Sequence, residues 1–444
     1  MSPSNIELTS APPAEDLSKF APVPRRRGGR LTGQPSSFQR RIHLLVEMGW
    51  LTLAMTIQLY VPEAKGYWIV YGLLAAYLMV YSGRATKVPA LVWFLSLGLS
   101  LGSLGGLATG DVTDLYQPLH LGLCSLAIMG FFVGEYNREE DARLVGLVVV
   151  VLLPLAAWQS IRRNGLADEW EEGGRRGVNL IALFLMLAAS YAFLLKGRWK
   201  LVALPIFVIL FLLGSRTAFI TALALPVIFC GMDRTLRQYI SRHAWNLGLA
   251  IGVILIAIIC KNYFNEGIQE HLGGAIGENR LATEALKAGS DQRADLTMEW
   301  LKYLWDNPSW FGHGVNTCSA YAENDHWIHQ GFLLVFNGFG IVCGFIYLWV
   351  CIRVTSRLWR MRAVLPPHIS WAAAFFAAML IRALGEAQLI VHSIHISGFA
   401  ITYGTGLAIW ASERQGSQRP RKRKGPVRGR TPSNTIKTNE LPVV

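Results

Sequence analysis

The chain has 444 residues, of which 52% are hydrophobic and 16% are charged, whereas soluble proteins carry about 25% charged residues. Its net charge is +13 and its mean hydropathy is +0.33. These values exclude an ordinary soluble domain and indicate an integral membrane protein.

Apolar segments of spanning length follow one another between residues 42 and 411. A helix that crosses a membrane needs about 20 mostly apolar residues. About twelve segments meet this requirement, at 43–61, 66–82, 88–107, 115–133, 143–161, 178–195, 199–213, 216–231, 244–264, 329–352, 369–390 and 393–411. We therefore predict an all-α polytopic membrane protein, with transmembrane helices 1–9 in residues 42–264 and helices 10–12 in residues 329–411.

Both ends of the chain, residues 1–41 and 412–444, are polar and basic and contain PVPRRRGGR and RPRKRKGPVRGR. We predict that they are disordered tails, because they have too little apolar surface to bury. Basic tails on a membrane protein typically face anionic lipid in the cytoplasm. Nucleic-acid binding is the alternative, but no aromatic residues interleave with the basic runs. The long polar start also argues against a cleavable signal peptide.

Lysine and arginine are concentrated in every second connection, in the segments SGRATK, LKGRWK, DRTLRQYISRH and RVTSRLWRMR. With both termini in the cytoplasm, all of these connections face the cytoplasm, in agreement with the positive-inside rule. The opposite connections carry two acidic pairs, Asp111 with Asp114 and Glu171 with Glu172. We expect both pairs to be solvated.

One connection is long, from residue 265 to residue 328, and it lies on the outer face between the ninth and tenth spans. A loop of this length is expected to contain structure and function. Its segment ADLTMEWLKYLW has helical spacing and ends at Asn307-Pro308, so we predict a helix there. The segments FGHGVNT and DHWIHQGFLLVFNGFG follow. The six cysteines show no disulfide spacing, and we find no internal repeat of the kind that typifies many transporters.

His329 stands where this loop enters the tenth span, with Leu333, Phe336 and Gly340 on about the same predicted helical face. An imidazole titrates near neutral pH and is a natural proton acceptor. The alternative is an interfacial histidine that binds a loop carbonyl. His313, Asp325, His326 and His329 also suggest a metal site, but their spacing is irregular, so we predict no metal.

Two arginines are candidates for binding an anion. Arg216, in LLGSRTAF, lies between two apolar runs, where a permanent charge requires an anionic partner or water. The alternative is that its side chain only extends to the membrane–water interface on the outer face. Arg293 opens the predicted loop helix seven residues before Trp300. It is either a phosphate ligand or the surface ion-pair partner of a neighbouring aspartate.

Arg382 and Glu386 are spaced i, i+4 near the outer end of the eleventh span, with His392 and His395 just beyond. Ionisable residues at membrane depth are functional candidates, although mutual neutralisation is a sufficient structural reason for such a pair. We rank this pair below His329 and the two arginines.

Taken in order, these residues resemble the O-antigen ligase and polymerase superfamily of integral membrane enzymes. The family has a Ser-Arg at the start of a span, an arginine ahead of a tryptophan in a large periplasmic loop, a Pro, a Gly-x-Gly, and a histidine about eleven residues before a glycine. The counterparts here are Ser215-Arg216, Arg293 with Trp300, Pro308, Gly312-His313-Gly314, His329-Gln330 and Gly340, with Asn179 as an earlier match. Gln330 and Cys343 depart from the usual Asn and Gly.

The resemblance implies transfer of an oligosaccharide from an undecaprenyl-diphosphate donor to a sugar hydroxyl at the periplasmic face of the bacterial cytoplasmic membrane. Arg216 and Arg293 would hold the diphosphate, and His329 would accept the proton, in an inverting reaction without a cofactor. Gln330, Arg382, Glu386, Asn179 and His313 are secondary site residues. We favour repeat-unit polymerisation of a surface polysaccharide or exopolysaccharide, together with polysaccharide-assembly proteins. The alternatives are a ligase that acts on the lipid A core, a lipid-linked-sugar flippase or transporter, and a non-catalytic scaffold.

Overall fold

The computed structural model describes residues 37–60, 88–164, 174–213, 215–232, 290–314, 328, 330–387, 389–391 and 396–416. The chain divides into two units, Met1–Leu45 and Val46–Val444. In the first unit, residues 37–45 form the beginning of helix α1, Ser37–Tyr60. Throughout the described residues, every regular element is a helix, as the sequence predicts.

The helices of the second unit follow in chain order. They are α2 (Ala90–Leu101), α3 (Ser103–Thr109), α4 (Val112–Cys124, continued by a π-helical stretch Ser125–Phe132 and by Val133–Glu135), α5 (Glu139–Asn164), α6 (Gly174–Ala192), α7 (Ala203–Leu212, preceded by a 3₁₀ turn Gly197–Val202), α8 (Arg216–Met232), α9 (Ser290–Asp306), α10 (Gly331–Leu334, continued by a π-helical stretch Val335–Phe339), α11 (Ile341–Met361), α12 (Pro367–Gly385) and α13 (Ile396–Gly416).

Five helical stretches are long and apolar enough to cross a membrane, namely Ala90–Thr109, Val112–Glu135, Glu139–Arg162, Ile341–Met361 and Pro367–Gly385. α5 illustrates the pattern, because Leu147, Val151, Leu155 and Trp158 are exposed along it. A soluble protein rarely leaves such a continuous apolar surface uncovered. These helices support a membrane protein. The predicted spans at 66–82 and 244–264 lie outside the described residues.

The core of the second unit lies where α6, α12, α13 and the π-helical part of α4 meet. Tyr191 donates a hydrogen bond to the carbonyl of Ala400 at 2.5 Å, and the Trp371 indole N–H donates to the carbonyl of Ser190 at 2.8 Å. Each polar tip therefore has a partner while its ring is fully buried, which is how buried Tyr and Trp are normally accommodated. These bonds connect α6 to both α12 and α13.

Polar contacts also join helix ends that the sequence places in the cytoplasm. Arg357 near the end of α11 donates to Glu413 near the end of α13 at 2.5 Å, so these two helices end side by side. At the start of α12, His368 donates from Nε2 to the carbonyl of Asn137, just before α5, at 3.1 Å. Both contacts involve residues on the predicted cytoplasmic side.

The predicted tenth span, 329–352, is wrong as one continuous helix. Gly340 separates α10 from α11 with φ 97° and ψ 167°, a conformation that is essentially confined to glycine. Leu333 and Phe336 therefore do not share a continuous helical face with Gly340. The helix of spanning length begins after this break and continues to Met361, so Arg353 and Arg357 of the segment RVTSRLWRMR belong to it.

Candidate functional site

Residues 309–314, which belong to the predicted loop, are attached to the break between α10 and α11 by main-chain hydrogen bonds. The N–H of His313 donates to the carbonyl of Asn337 at 2.9 Å, and the N–H of Ile341 donates to the carbonyl of Ser309 at 3.0 Å. Two longer bonds, from Gly314 to Gly338 and from Val342 to Trp310, complete the set. Peptide groups that the broken helix leaves without helical partners are satisfied in this way.

Two glycines make this close approach possible. Gly312 has φ 87°, and Gly340 has φ 97°, both in the region that side-chain-bearing residues rarely occupy. A β-carbon at position 340 would lie 2.5 Å from the carbonyl oxygen of Trp310, and one at position 312 would lie 2.6 Å from the carbonyl carbon of Gly338. Each glycine is therefore required both by its own conformation and by the opposite chain segment.

The helix predicted for ADLTMEWLKYLW is confirmed as α9, which extends to Asp306. Its Trp300 is 4% exposed and forms a buried cluster with Ile328 and Leu333, against which Tyr303 and Leu334 also pack. Ile328 and Leu333 lie on either side of position 329 in the chain. The loop helix is thus packed against the segment that leads into α10.

Polar contacts hold the same segment from two sides. Gln330 donates from Nε2 to the Thr297 hydroxyl of α9 at 3.2 Å. The N–H of Gly331 donates to the carbonyl of Glu386, just after α12, at 3.0 Å. A β-carbon on Gly385 would lie 3.5 Å from the Thr217 methyl group, so the end of α12 also contacts the start of α8.

The three principal predicted residues have different positions in this structure. Arg216 is the first residue of α8, and Arg293 lies within α9, although the side chains of both are outside the described part of the chain. His329 lies outside the described residues, between Ile328 and Gln330. The roles assigned to the three side chains therefore stay predictions.

Arg382 and Glu386 lie where α12 ends. Glu386 is the last capping residue of the helix, and its own backbone is extended, with φ −143° and ψ 150°. Its N–H donates to the Arg382 carbonyl at 2.9 Å. Arg382 is 4% exposed, and its guanidinium contacts the sulfur of Met186 in α6 at 3.7 Å. His392 and His395 lie outside the described residues.

His313 has a structural environment within the loop. Its Nε2 lies 2.8 Å from the carbonyl oxygen of Asn307 and therefore carries the proton that makes this bond. Its ring also meets Tyr303 edge-on at 5.6 Å. Asp325, His326 and His329, the other residues of the possible metal cluster, lie outside the described ranges, and within those ranges no group of three potential ligands gathers. Asn179 is exposed on α6.

Asp114 is a functional candidate that the sequence interpretation missed. It was expected to be solvated, but it is fully buried in the first turn of α4, which Asp111 caps by accepting from the N–H of Thr113 at 2.7 Å. A β-carbon on Gly314 would lie 2.7 Å from the Asp114 β-carbon, so Asp114 packs against the loop. An aspartate at the cap and an acidic residue in the first turn are typical of a helix N-terminus, and this was the available signal. Glu171 and Glu172 lie outside the described residues.

Comparisons with known proteins do not assign the chain to a family. No protein-family model matches it, and no curated protein is significantly similar to it. The region that unites α8, α9, α10 and α12 is therefore interpreted from its own residues. Of the arginines predicted as site residues in this region, Arg382 has a described side chain, a buried guanidinium, which is a group suited to binding an anion.

Proposed function

We propose that the protein is a membrane glycosyltransferase of the O-antigen ligase and polymerase type. Its donor is an oligosaccharide linked to undecaprenyl diphosphate, and its acceptor is a sugar hydroxyl. We favour an acceptor that is another repeat unit, so that the product is a lengthened surface polysaccharide or exopolysaccharide. The apolar helices provide the surface along which the polyprenyl chain of the donor lies.

In the proposed reaction, His329 accepts the proton of the acceptor hydroxyl as its oxygen forms a bond to the anomeric carbon. The bond between that carbon and the diphosphate oxygen breaks at the same time, so the anomeric centre is inverted. Arg216 and Arg293 stabilise the negative charge that remains on the undecaprenyl diphosphate. Because arginine is permanently charged and forms paired hydrogen bonds with phosphate, this leaving group needs no added cofactor.

The main support is the way that three separate parts of the chain meet around residues 328–331. Trp300 and Thr297 of α9 contact residues on both sides of position 329, and Arg293 precedes them by the spacing of one helical face. The carbonyl of Glu386 accepts a hydrogen bond from the N–H of Gly331, and Gly385 contacts Thr217, the residue that follows Arg216. The positions that the proposal requires therefore belong to elements that contact one another.

The proposed topology has about twelve spans, with both termini in the cytoplasm and the loop of residues 265–328 in the periplasm. The contacts between Arg357 and Glu413 and between His368 and Asn137 join chain segments that this topology places together on the cytoplasmic side. The contacts around residues 309–314, 328–331 and 386 join segments that it places together on the periplasmic side.

The deciding experiment is reconstitution of the purified full-length chain in proteoliposomes with an undecaprenyl-diphosphate oligosaccharide. Lengthening of the glycan supports the polymerase, and transfer to an added lipid A core identifies the ligase. Movement of the intact donor across the bilayer without transfer would instead identify a flippase. Failure of all these assays in a folded sample that is supplied with both acceptors would contradict the proposal.

Substitution then tests each assigned residue. Arg216→Ala, Arg293→Ala and His329→Ala are each expected to abolish transfer while expression and folding are retained. Full activity in Arg293→Ala would remove that residue from the mechanism. Activity that EDTA abolishes and Zn²⁺ restores would replace the metal-independent mechanism with one that uses a histidine-bound ion.

A further inference from the structure

Arg382 is a buried cation whose hydrogen bonding is incomplete. It is 4% exposed, and its Nε is buried without a hydrogen-bond partner. Its Nη1 reaches the Met186 sulfur at 3.7 Å, but a thioether is only a weak acceptor. A guanidinium has five N–H donors, so the protein contacts described for this side chain leave most of its donor capacity unused.

Glu386, four residues farther along the chain at the end of α12, is a candidate counter-ion for Arg382. The direct bond described between the two residues, however, runs through the main chain, from the Glu386 N–H to the Arg382 carbonyl. Glu386 is the residue at which α12 ends, and its backbone is extended. A buried charge without a well-bonded partner is strongly disfavoured, so an additional anion would complete this environment.

The location of Arg382 suggests which anion that is. It lies in the last turn of α12, three residues before Gly385 and four before Glu386, which contact the start of α8 and the N–H of Gly331. On α6, Met186 lies seven residues after Asn179 and hence on the same helical face. Asn179 is exposed about 10 Å farther along that face. A polar residue thus lies on the side from which an outer ligand would reach Arg382.

We propose that Arg382 is a third cationic ligand for a phosphate oxyanion, and that in the working protein this anion is the diphosphate of the lipid-linked donor. The inference rests on the proposed function for the identity of the donor, but the oxyanion site itself does not. Arg382 would form paired hydrogen bonds with phosphate oxygens, while Glu386 limits how tightly the product diphosphate is held, because its carboxylate repels the same anion.

The test is calorimetric titration of the full-length chain in nonionic detergent with inorganic pyrophosphate, farnesyl diphosphate, farnesol and a short-chain phosphatidylglycerol. Wild type is expected to bind both diphosphates and not farnesol. Arg382→Met should raise the diphosphate Kd at least tenfold, and Arg382→Lys should raise it about threefold, because charge is kept and the planar fork is lost. Binding of phosphatidylglycerol instead of the diphosphates would support an oxyanion site at Arg382 whose ligand is an ordinary membrane phospholipid.

Arg357→Met is the matched control, because it removes an arginine that already has a carboxylate partner, Glu413, and its Kd should equal that of wild type. A folded Arg382→Met variant with the wild-type Kd would overturn the inference. If that variant does not fold, Glu386→Gln decides the matter. An oxyanion at Arg382 predicts at least threefold tighter binding in Glu386→Gln, whereas an unchanged Kd means that the two side chains only neutralise each other.

This result is separable from the proposed function. A protein that transfers glycan but binds diphosphate equally well with and without Arg382 disproves the role of Arg382 alone. A protein that binds diphosphate through Arg382 but transfers no glycan disproves the transferase and leaves the oxyanion site in place.

Discussion

The two ends of the helix bundle accommodate charge in opposite ways. At the predicted cytoplasmic end, Glu413 bonds to Arg357 at 2.5 Å and lies 3.5 Å from Arg353. These side chains are partly exposed, at 20–37%. At the predicted periplasmic end, Arg382 is 4% exposed with an unsatisfied Nε. One end has paired charges in contact with solvent, and the other has a buried charge with capacity for a ligand.

The same contrast extends to the backbone. The cytoplasmic contacts described above rely on side chains, with His368 and Arg357 as donors. The periplasmic contacts are largely between main-chain groups and depend on Gly312 and Gly340 at positive φ. Strained backbone and incompletely satisfied charge are costly, and the glycine break at Gly340 and the buried guanidinium of Arg382 lie in segments that the predicted topology places at the same end.

The largest expected effect is on catalysis at the periplasmic end. His329→Ala should lower the rate of glycan transfer about 10²- to 10⁴-fold, because a general base contributes a factor of that size. His368→Ala is the matched control, since it removes a histidine from the opposite end of the bundle. The measurement is the initial transfer rate in proteoliposomes. Equal losses in the two variants would contradict a catalytic role that is specific to His329.

Gly340→Ala tests the strained backbone. It should destabilise the protein by about 3 kcal/mol or more, because the glycine-only conformation costs 1–3 kcal/mol and the new methyl group would overlap the main chain of residues 310–312. Thermal unfolding in detergent measures the change. Gly231→Ala is the control, because a β-carbon there meets nothing within 4 Å, and it should be neutral or slightly stabilising. A normal melting temperature for Gly340→Ala would mean that the break at this residue is not required.

The contact between Gln330 and Thr297 should have an intermediate effect. A double-mutant cycle of Gln330→Ala and Thr297→Val is expected to give a coupling of about 0.5–1.5 kcal/mol, the usual contribution of one hydrogen bond. Thermal unfolding and transfer rate are both suitable measurements. Thr221→Val replaces Thr297→Val in a control cycle, since the Thr221 hydroxyl bonds within α8 to the carbonyl of Thr217. That cycle should show additivity, and equal coupling in both would disprove a specific contact.

The smallest effect is expected from Glu413→Gln at the cytoplasmic end. Partly exposed ion pairs contribute little, so the loss should be about 1 kcal/mol or less, with no change in transfer rate. Because exposed pairs are screened by salt, the difference from wild type should shrink as ionic strength rises. A large loss of transfer activity would mean that the two ends are functionally coupled.

Hydropathy predicted the helices well where a segment is uniformly apolar, since the predicted span at 143–161 lies inside α5, Glu139–Asn164. Helical spacing and a terminal proline predicted the mixed polar and apolar helix α9. The prediction of one helix over residues 329–352 is wrong because hydropathy is averaged over a window of many residues, whereas the chain changes direction at one residue, Gly340. The segment Asn337-Gly338-Phe339-Gly340 was the local signal for that break, since closely spaced glycines mark turns.

The site was less predictable than the fold, because its contacts join residues far apart in the chain. The order of the motifs predicted that Gln330 lies near the loop, but it did not predict the hydrogen bond from Gln330 to Thr297. The i, i+4 spacing of Arg382 and Glu386 suggested an ion pair, but it did not predict that α12 ends at Glu386 with an extended backbone. Asp114 was expected in water because acidic loop residues are normally solvated, whereas packing against Gly314 buries it.

The main-chain attachment of Ser309–Gly314 to the Gly340 break has a consequence for sequence divergence. Trp310 is 69% exposed and Phe311 is 39% exposed, while the bond described for Trp310 uses its carbonyl oxygen. The two aromatic side chains are therefore open to replacement without loosening the loop. If the protein is the proposed glycosyltransferase, selection can alter the surface offered to the acceptor at these two positions while the main-chain attachment stays fixed, so acceptor preference can evolve separately from the use of the donor.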